Sequence, residues 1–129
     1  MHILERLAPL ESITSPKTIP IGARGVVFVS ELRPYHRDEL AVVVALEDPG
    51  VTSGRGGHCR FSVLEGSVWV VDEGSDNGTW VRRENSDFRA GSFRSPTKLH
   101  AGDIVCVGRH QFRVTELDAE APTDTPLQQ

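Results

Sequence analysis

Two β-rich runs joined by an Asn-Gly turn narrow the possible folds of this chain more than any other stretch. Residues 68–81 read V-W-V-V-D-E-G-S-D-N-G-T-W-V. The apolar run ends at Asp72, a compact polar loop follows, and the chain resumes with Thr79-Trp80-Val81. Asn77 and Gly78 both tolerate a positive φ, so the pair marks a tight turn between strands. Ser75 and Asp76 carry short polar side chains that hydrogen-bond nearby backbone and hold such a loop in one shape. A loop of this kind presents polar groups from a fixed platform, which points to a binding module.

The rest of the chain fits an all-β frame. With 129 residues, 12 Gly and 8 Pro, one domain with frequent turns is expected. Gly25–Ser30 reads as a strand, and Glu39–Leu46, rich in valine, as a buried one. Glu47–Gly57 is a glycine-rich loop, whose backbone N–H groups could approach a ligand closely. His58–Leu64 alternates, with Cys59, Phe61 and Val63 on one face. Ser67–Val71 and Thr79–Arg82 flank the Asn-Gly loop; Glu84–Pro96 reads as an extended loop and Leu99–Asp103 as a turn. Ile104–Val107 and Gln111–Leu117 form a final hairpin. Residues 18–117 are thus expected to hold seven or eight short strands in a β-sandwich of antiparallel strands. Residues 1–17 read as an arm or a short helix, from the spacing of Ile3, Leu4, Leu7 and Leu10. Residues 118–129 are an acidic, proline-containing tail expected to be disordered.

Charge and cysteine content exclude several function classes. A net charge of −4 argues against a general nucleic-acid binder. No apolar run approaches the roughly 20 residues that span a bilayer, so no membrane partner is expected. Cys59 and Cys106 read as reduced thiols of a cytoplasmic protein. The five histidines show no metal-ligand spacing, and no cofactor is expected. No nucleophile elbow or nucleotide-binding P-loop appears, so the chain reads as a non-enzyme, with a hydrolase the weakest reading.

From His58 onward the order of motifs resembles the forkhead-associated (FHA) domain family. Its pattern runs Gly-Arg, Ser-x-x-His, Asp-x-x-Ser-x-Asn-Gly-Thr, Leu-x-x-Gly-Asp-x-Ile-x-Leu-Gly and Phe-x-Val. Here stand His58, then Asp72 through Thr79 with Ser75, Asn77 and Gly78 in place, then Leu99 through Gly108, then Phe112-Arg113-Val114. The front part departs: Arg55 stands where the family has serine before the histidine, the nearest serine is Ser53, and Gly54-Arg55 almost abuts His58. Asp76 replaces a small hydroxyl residue, and Arg82-Arg83 follows Trp80-Val81 where the family has Asn-Gly.

The resemblance implies an eleven-stranded FHA-like (SMAD/FHA) β-sandwich whose end loops bind a phosphothreonine peptide, with a Ser/Thr kinase pathway upstream. A phosphothreonine carries nearly two negative charges and three acceptor oxygens. Ser53, Arg55 and the glycines between them and His58 offer the hydroxyl, the guanidinium and the amides that such a group needs. Asn77 would then hydrogen-bond the peptide main chain, with Asp76 beside it bearing the wrong charge for a phosphate. His58 would steady the neighbouring loop, and Gly78 and Thr79 are structural. Asp72 and Asp103 read as turn-capping acceptors. Arg82, Arg83, Arg89, Arg94 and Lys98 form either a basic rim for an acidic partner or a solvated face. The alternative function is a phospho-independent FHA-like scaffold or oligomerisation domain.

Overall fold

The computed structural model describes residues 1–10, 17–30, 41–48, 50–51 and 57–116. Those residues form eleven strands: β1 (His2–Ala8), β2 (Thr18–Ile21), β3 (Val26–Ser30), β4 (Val42–Leu46), β5 (Cys59–Leu64), β6 (Ser67–Asp72), β7 (Thr79–Arg83), β8 (Ser86–Arg89), β9 (Thr97–Leu99), β10 (Ile104–Val107) and β11 (His110–Glu116). They make two sheets, one ordered β2-β1-β11-β10-β7-β8 and the other β4-β3-β5-β6-β9. Alternating residues of both sheets fill the space between them. Phe28, Phe61 and Phe112 are fully buried there, with Phe28 ring centroids 5.4 Å from Phe61 and 5.0 Å from Phe112. Tilted and edge contacts of this kind add about 0.5–1.5 kcal/mol to the burial itself.

Three sequence expectations are corrected. Residues 2–8 are a strand, where an arm or short helix was expected for 1–17. β1 inserts between β2 and β11, and Leu4 faces the core opposite Val114 and Ile19. Pairing on both edges outweighs a weak helical spacing. Second, β3 and β4 are parallel, register Val26↔Val42 to Ser30↔Leu46, so the sandwich is not wholly antiparallel. Third, the expected Glu84–Pro96 loop contains β8, a short edge strand paired with β7 from Trp80↔Arg89 to Arg83↔Ser86. Its sequence, S-D-F-R, has only Phe88 facing the core, so it carries almost no apolar signal. The expected tail, residues 118–129, lies outside the described residues.

The topology gathers loops at one end of the sandwich. Cys59 opens β5 opposite both Phe28 near the end of β3 and Asp72 at the end of β6. Thr79 opens β7 opposite Val107, which closes β10 and pairs with His110 at the start of β11. The connections β4–β5, β6–β7 and β10–β11 therefore meet at that end.

Candidate functional site

The β6–β7 loop is organised around the Asp72 carboxylate. Its Oδ1 accepts hydrogen bonds from Ser75 Oγ at 2.6 Å and Thr79 Oγ1 at 2.8 Å. Its Oδ2 accepts from the backbone N–H of Gly74 at 3.1 Å and Ser75 at 3.0 Å. Ser75 is buried, and its hydroxyl also accepts the Gly78 N–H at 2.9 Å. Gly78 has φ +82°, which a side chain rarely adopts. A carboxylate accepting four donors across the mouth of a short loop fixes where the loop turns.

His58 holds the same loop from beneath. It is fully buried, and its Nε2 lies 3.0 Å from the Gly78 carbonyl oxygen. Its own backbone is tied to both neighbours, donating its N–H to Phe28 and accepting from Glu73 N–H. Thr79 is also fully buried. These contacts leave Asn77 and Asp76 exposed at the outer surface of the loop.

Asn77 joins this loop to the β4–β5 connection. Its Nδ2 donates to the Gly50 carbonyl at 3.0 Å, and its own carbonyl accepts from Trp80 Nε1 at 3.2 Å. The second N–H of the Asn77 side chain and its Oδ1 have no partner among the described residues. Gly50 is in turn set by Asp48, whose Oδ1 accepts the Gly50 N–H at 2.8 Å and whose Oδ2 accepts the Arg109 N–H at 2.7 Å. Asp48 thus links the β4–β5 connection to the β10–β11 turn. Gly108 makes room for it: a Cβ there would lie 2.6 Å from Asp48 Oδ2, at a φ of +61°.

Burial would raise the Asp48 carboxyl, but the N–H groups of Arg109 and Gly50, with His110 and Arg109 nearby, hold it below the usual range. His110 is fully buried beside it, with Nδ1 3.4 Å from Asp48 Oδ2, a longer contact than the two backbone N–H bonds. Burial lowers the His110 pKa, with the Asp48 carboxylate pulling the other way. Burial thus favours the neutral form of His110, and the backbone N–H groups, with the Arg109 guanidinium 3.8 Å away, are the main support of ionised Asp48.

The structure brings together Asn77, Asp76, His58, Gly78 and Thr79 of the residues singled out in the sequence. Ser53 and Arg55 lie outside the described residues. Asp48 and His110 were not singled out. The signal available for Asp48 was its place before Pro49-Gly50, a turn-forming sequence; His110 offered none. The expected basic cluster is split. Arg82 pairs with Asp87 at 3.0 Å. Arg83 makes a forked contact with Asp103 Oδ2 at 2.7 Å and 3.2 Å, and also donates to the Lys98 carbonyl. Burial would raise the Asp103 carboxyl, but Arg83 and the His100 N–H, 2.8 Å away, hold it below the usual range. Arg89 and Arg94 make no ion pair among the described residues. Cys59 and Cys106 are free thiols, and burial raises the pKa of Cys59. Among the described residues no group of three or more His, Cys, Asp or Glu is placed to hold a metal ion.

The architecture is that of known FHA domains. The structure is similar to one determined for phosphothreonine-dependent FHA domain interactions, with a TM-score of 0.59 over 90% of this chain and 96% of that one, at 19% identity. It is similar to the FhaA FHA domain complexed with the intracellular domain of Rv3910, with a TM-score of 0.58 over 88% of this chain and 99% of that one, at 18% identity. An FHA domain of an Arabidopsis thaliana hypothetical protein gives 0.58 over 96% of this chain and 90% of that one, at 18% identity. In sequence, 75 residues are 29% identical to the chloroplastic zeaxanthin epoxidase of Spinacia oleracea, covering 57% of this chain but only 10% of that protein. The FHA-domain profile matches residues 42–108, more than half of the chain, which includes the β4–β5 connection, the Asn77 loop and the strands around them. This chain belongs to the FHA-domain family.

Proposed function

We propose that this domain binds a phosphothreonine-containing segment of a partner protein and performs no chemistry on it. The observation that carries the reading is the state of Asn77. Its side chain is exposed at the sandwich end, anchored on Gly50, and retains one N–H and one carbonyl oxygen. That pair matches the C=O and N–H of an extended peptide. The phosphate role falls to Arg55 and Ser53, which precede His58 in the connection that Asn77 anchors at Gly50. A guanidinium makes short, forked contacts with phosphate oxygens, which suits a dianion better than a neutral threonine.

The unpaired thiols support a reducing, cytoplasmic setting, with a Ser/Thr kinase pathway supplying the modified partner. The test uses a phosphothreonine peptide library and its unphosphorylated counterpart, read by fluorescence polarisation. The expected result is phosphate-dependent binding, weakened by about 2–3 kcal/mol in Arg55→Ala, as for a lost charge-assisted contact. Equal affinity for both libraries would replace this reading with a phospho-independent scaffold or oligomerisation surface.

A further inference from the structure

Three of the four sheet edges, β2, β8 and β9, carry groups that discourage a further strand from pairing. β2 has Pro20, which lacks an N–H. β8 has Asp87 and Arg89 among its four residues, and β9 is three residues long with Lys98 at its centre. Proline, charge and shortness are the means by which an edge is closed to another chain. β4 is the remaining edge, and it has neither charge nor proline. It reads V-V-V-A-L over Val42–Leu46.

The open side of β4 is unpaired backbone between apolar side chains. Val42 donates its N–H to the Gly25 carbonyl at 3.1 Å, toward β3. Successive strand residues turn their N–H and C=O groups to opposite edges. Val44 and Leu46 therefore also face β3, while Val43 and Ala45 aim theirs away from it. No described strand pairs with them there. Val42 and Val43 are 40% and 45% exposed, although an unbroken valine run is the composition of a covered strand.

We propose that β4 is a homodimerisation edge, pairing antiparallel with β4 of a second copy. The occupant is another copy because the strand is self-complementary about Val44. A two-fold axis there sets Val43 opposite the partner's Ala45 and Val42 opposite the partner's Leu46. Val43 and Ala45 own the outward groups, so each Val43–Ala45 pair exchanges both of its N–H···O bonds. The axis also makes the core face of one copy continuous with that of the other. No charged residue lies within the seam, so a chain of net charge −4 meets its copy there without like charges in opposition. The same edge offers a charged foreign segment no ion pair. The β4–β5 connection, which holds Asn77 through Gly50, leaves from the Leu46 end. Antiparallel pairing therefore puts the two Asn77 loops at opposite ends of the joined sheet. The inference does not depend on what those loops bind.

The test is sedimentation equilibrium of the full chain. The mass is expected to rise from that of one chain toward that of two over roughly 10–500 μM, the range of an interface below the standard size. Ala45→Pro is expected to weaken association about ten-fold or more. The N–H it removes serves the partner and not β3, so proline is compatible with this edge, and a urea midpoint close to the parent's reports that the variant is folded. Val43→Lys and Val43→Glu leave every backbone group in place, and each alone weakens association. In the two-fold register the two residues 43 are diagonal neighbours about 7–8 Å apart. Mixing the Lys and Glu variants is therefore expected to give association roughly five-fold tighter than either alone. A single-chain mass at every concentration overturns the inference. A dimer that Ala45→Pro and both Val43 variants leave unchanged also overturns it, because such a dimer uses another surface, and so does mixing that restores nothing.

Discussion

Replacing Asp72 by Asn tests whether one carboxylate sets the shape of the binding loop. An ionised carboxylate only accepts, and Asp72 accepts from four donors: two hydroxyls at Oδ1 and two backbone N–H groups at Oδ2. Asn has the same shape but turns one of those oxygens into a donor. If the new NH₂ faces Gly74 and Ser75, it meets two N–H groups that cannot rotate. If it faces the hydroxyls, they can turn, but the Ser75 oxygen already accepts from Gly78 and the Thr79 hydroxyl is sealed in the interior. Either way two charge-assisted bonds are lost, each about 1.5–3 kcal/mol before relaxation. Hydroxyl rotation recovers part, leaving an expected loss of about 2–3 kcal/mol. With a urea slope of about 1–3 kcal/mol per molar, the midpoint falls by roughly 1 M or more. Asp72→Ala, which removes all four acceptances, falls further. Equilibrium urea unfolding followed by tryptophan fluorescence reads it directly, since Trp80 bonds to the loop through Asn77. A stability for Asp72→Asn within about 0.5 kcal/mol of the parent, the range of ordinary surface changes, would refute the loop's dependence on this carboxylate.

Under the proposed function, Asp76→Thr is expected to tighten a phosphothreonine peptide by about 1 kcal/mol, because it removes a carboxylate from the edge of the proposed phosphate site; calorimetry showing equal affinity would place the phosphate away from Asp76. His110→Gln is expected to flatten the stability profile between pH 7 and 5. Burial keeps the folded His110 below its ordinary value of 6.5, so the unfolded chain takes up the proton first. Its contribution is complete above that value and is lost as pH falls below it; an unchanged profile in urea melts would refute this. Asp48 and Asp103, both depressed, act in a separate window, losing their contribution as pH falls below the ordinary 3.8. Gly108→Ala is expected to cost about 2–3 kcal/mol in thermal or urea unfolding, from a left-handed backbone and a Cβ pressed on the buried Asp48 carboxylate.

How much was legible before the structure depends on whether a signal is local. The Asn77-Gly78 turn, the alternation of β5 and the final hairpin each sit within a few residues of the side chains that cause them, and each emerges where its pattern lies. β1 was missed because its evidence lies more than a hundred residues away, in the pairing of His2 to Ala8 with Glu116 to Gln111. β8 was missed because an edge strand with one core residue needs only backbone bonds to β7. The parallel β3–β4 pairing is invisible for a different reason. Two valine-rich runs are equally compatible with either direction, and only the crossover between them decides it.

The site shows the same division and sharpens what the Asn77 loop means. Ser75, Thr79 and Asp72 are within eight residues of one another, so their hydrogen-bonding pattern was readable as a turn. The contact that orients the Asn77 side chain was not, because Gly50 is 27 residues away and is itself placed by Asp48, whose other oxygen binds Arg109, 61 residues on. Two carboxylates therefore shape the surface from opposite sides, Asp72 from within the loop and Asp48 across it. The Asn77 side chain spans both. Loosening either carboxylate shifts Asn77 relative to the β4–β5 connection, so mutations at residues that touch no ligand should weaken binding more than their exposed neighbours do. Asp76 is the converse case: it is exposed beside Asn77, and under the proposed function its charge would act on an incoming phosphate, while the framework bonds of the loop run through Asp72 and Ser75.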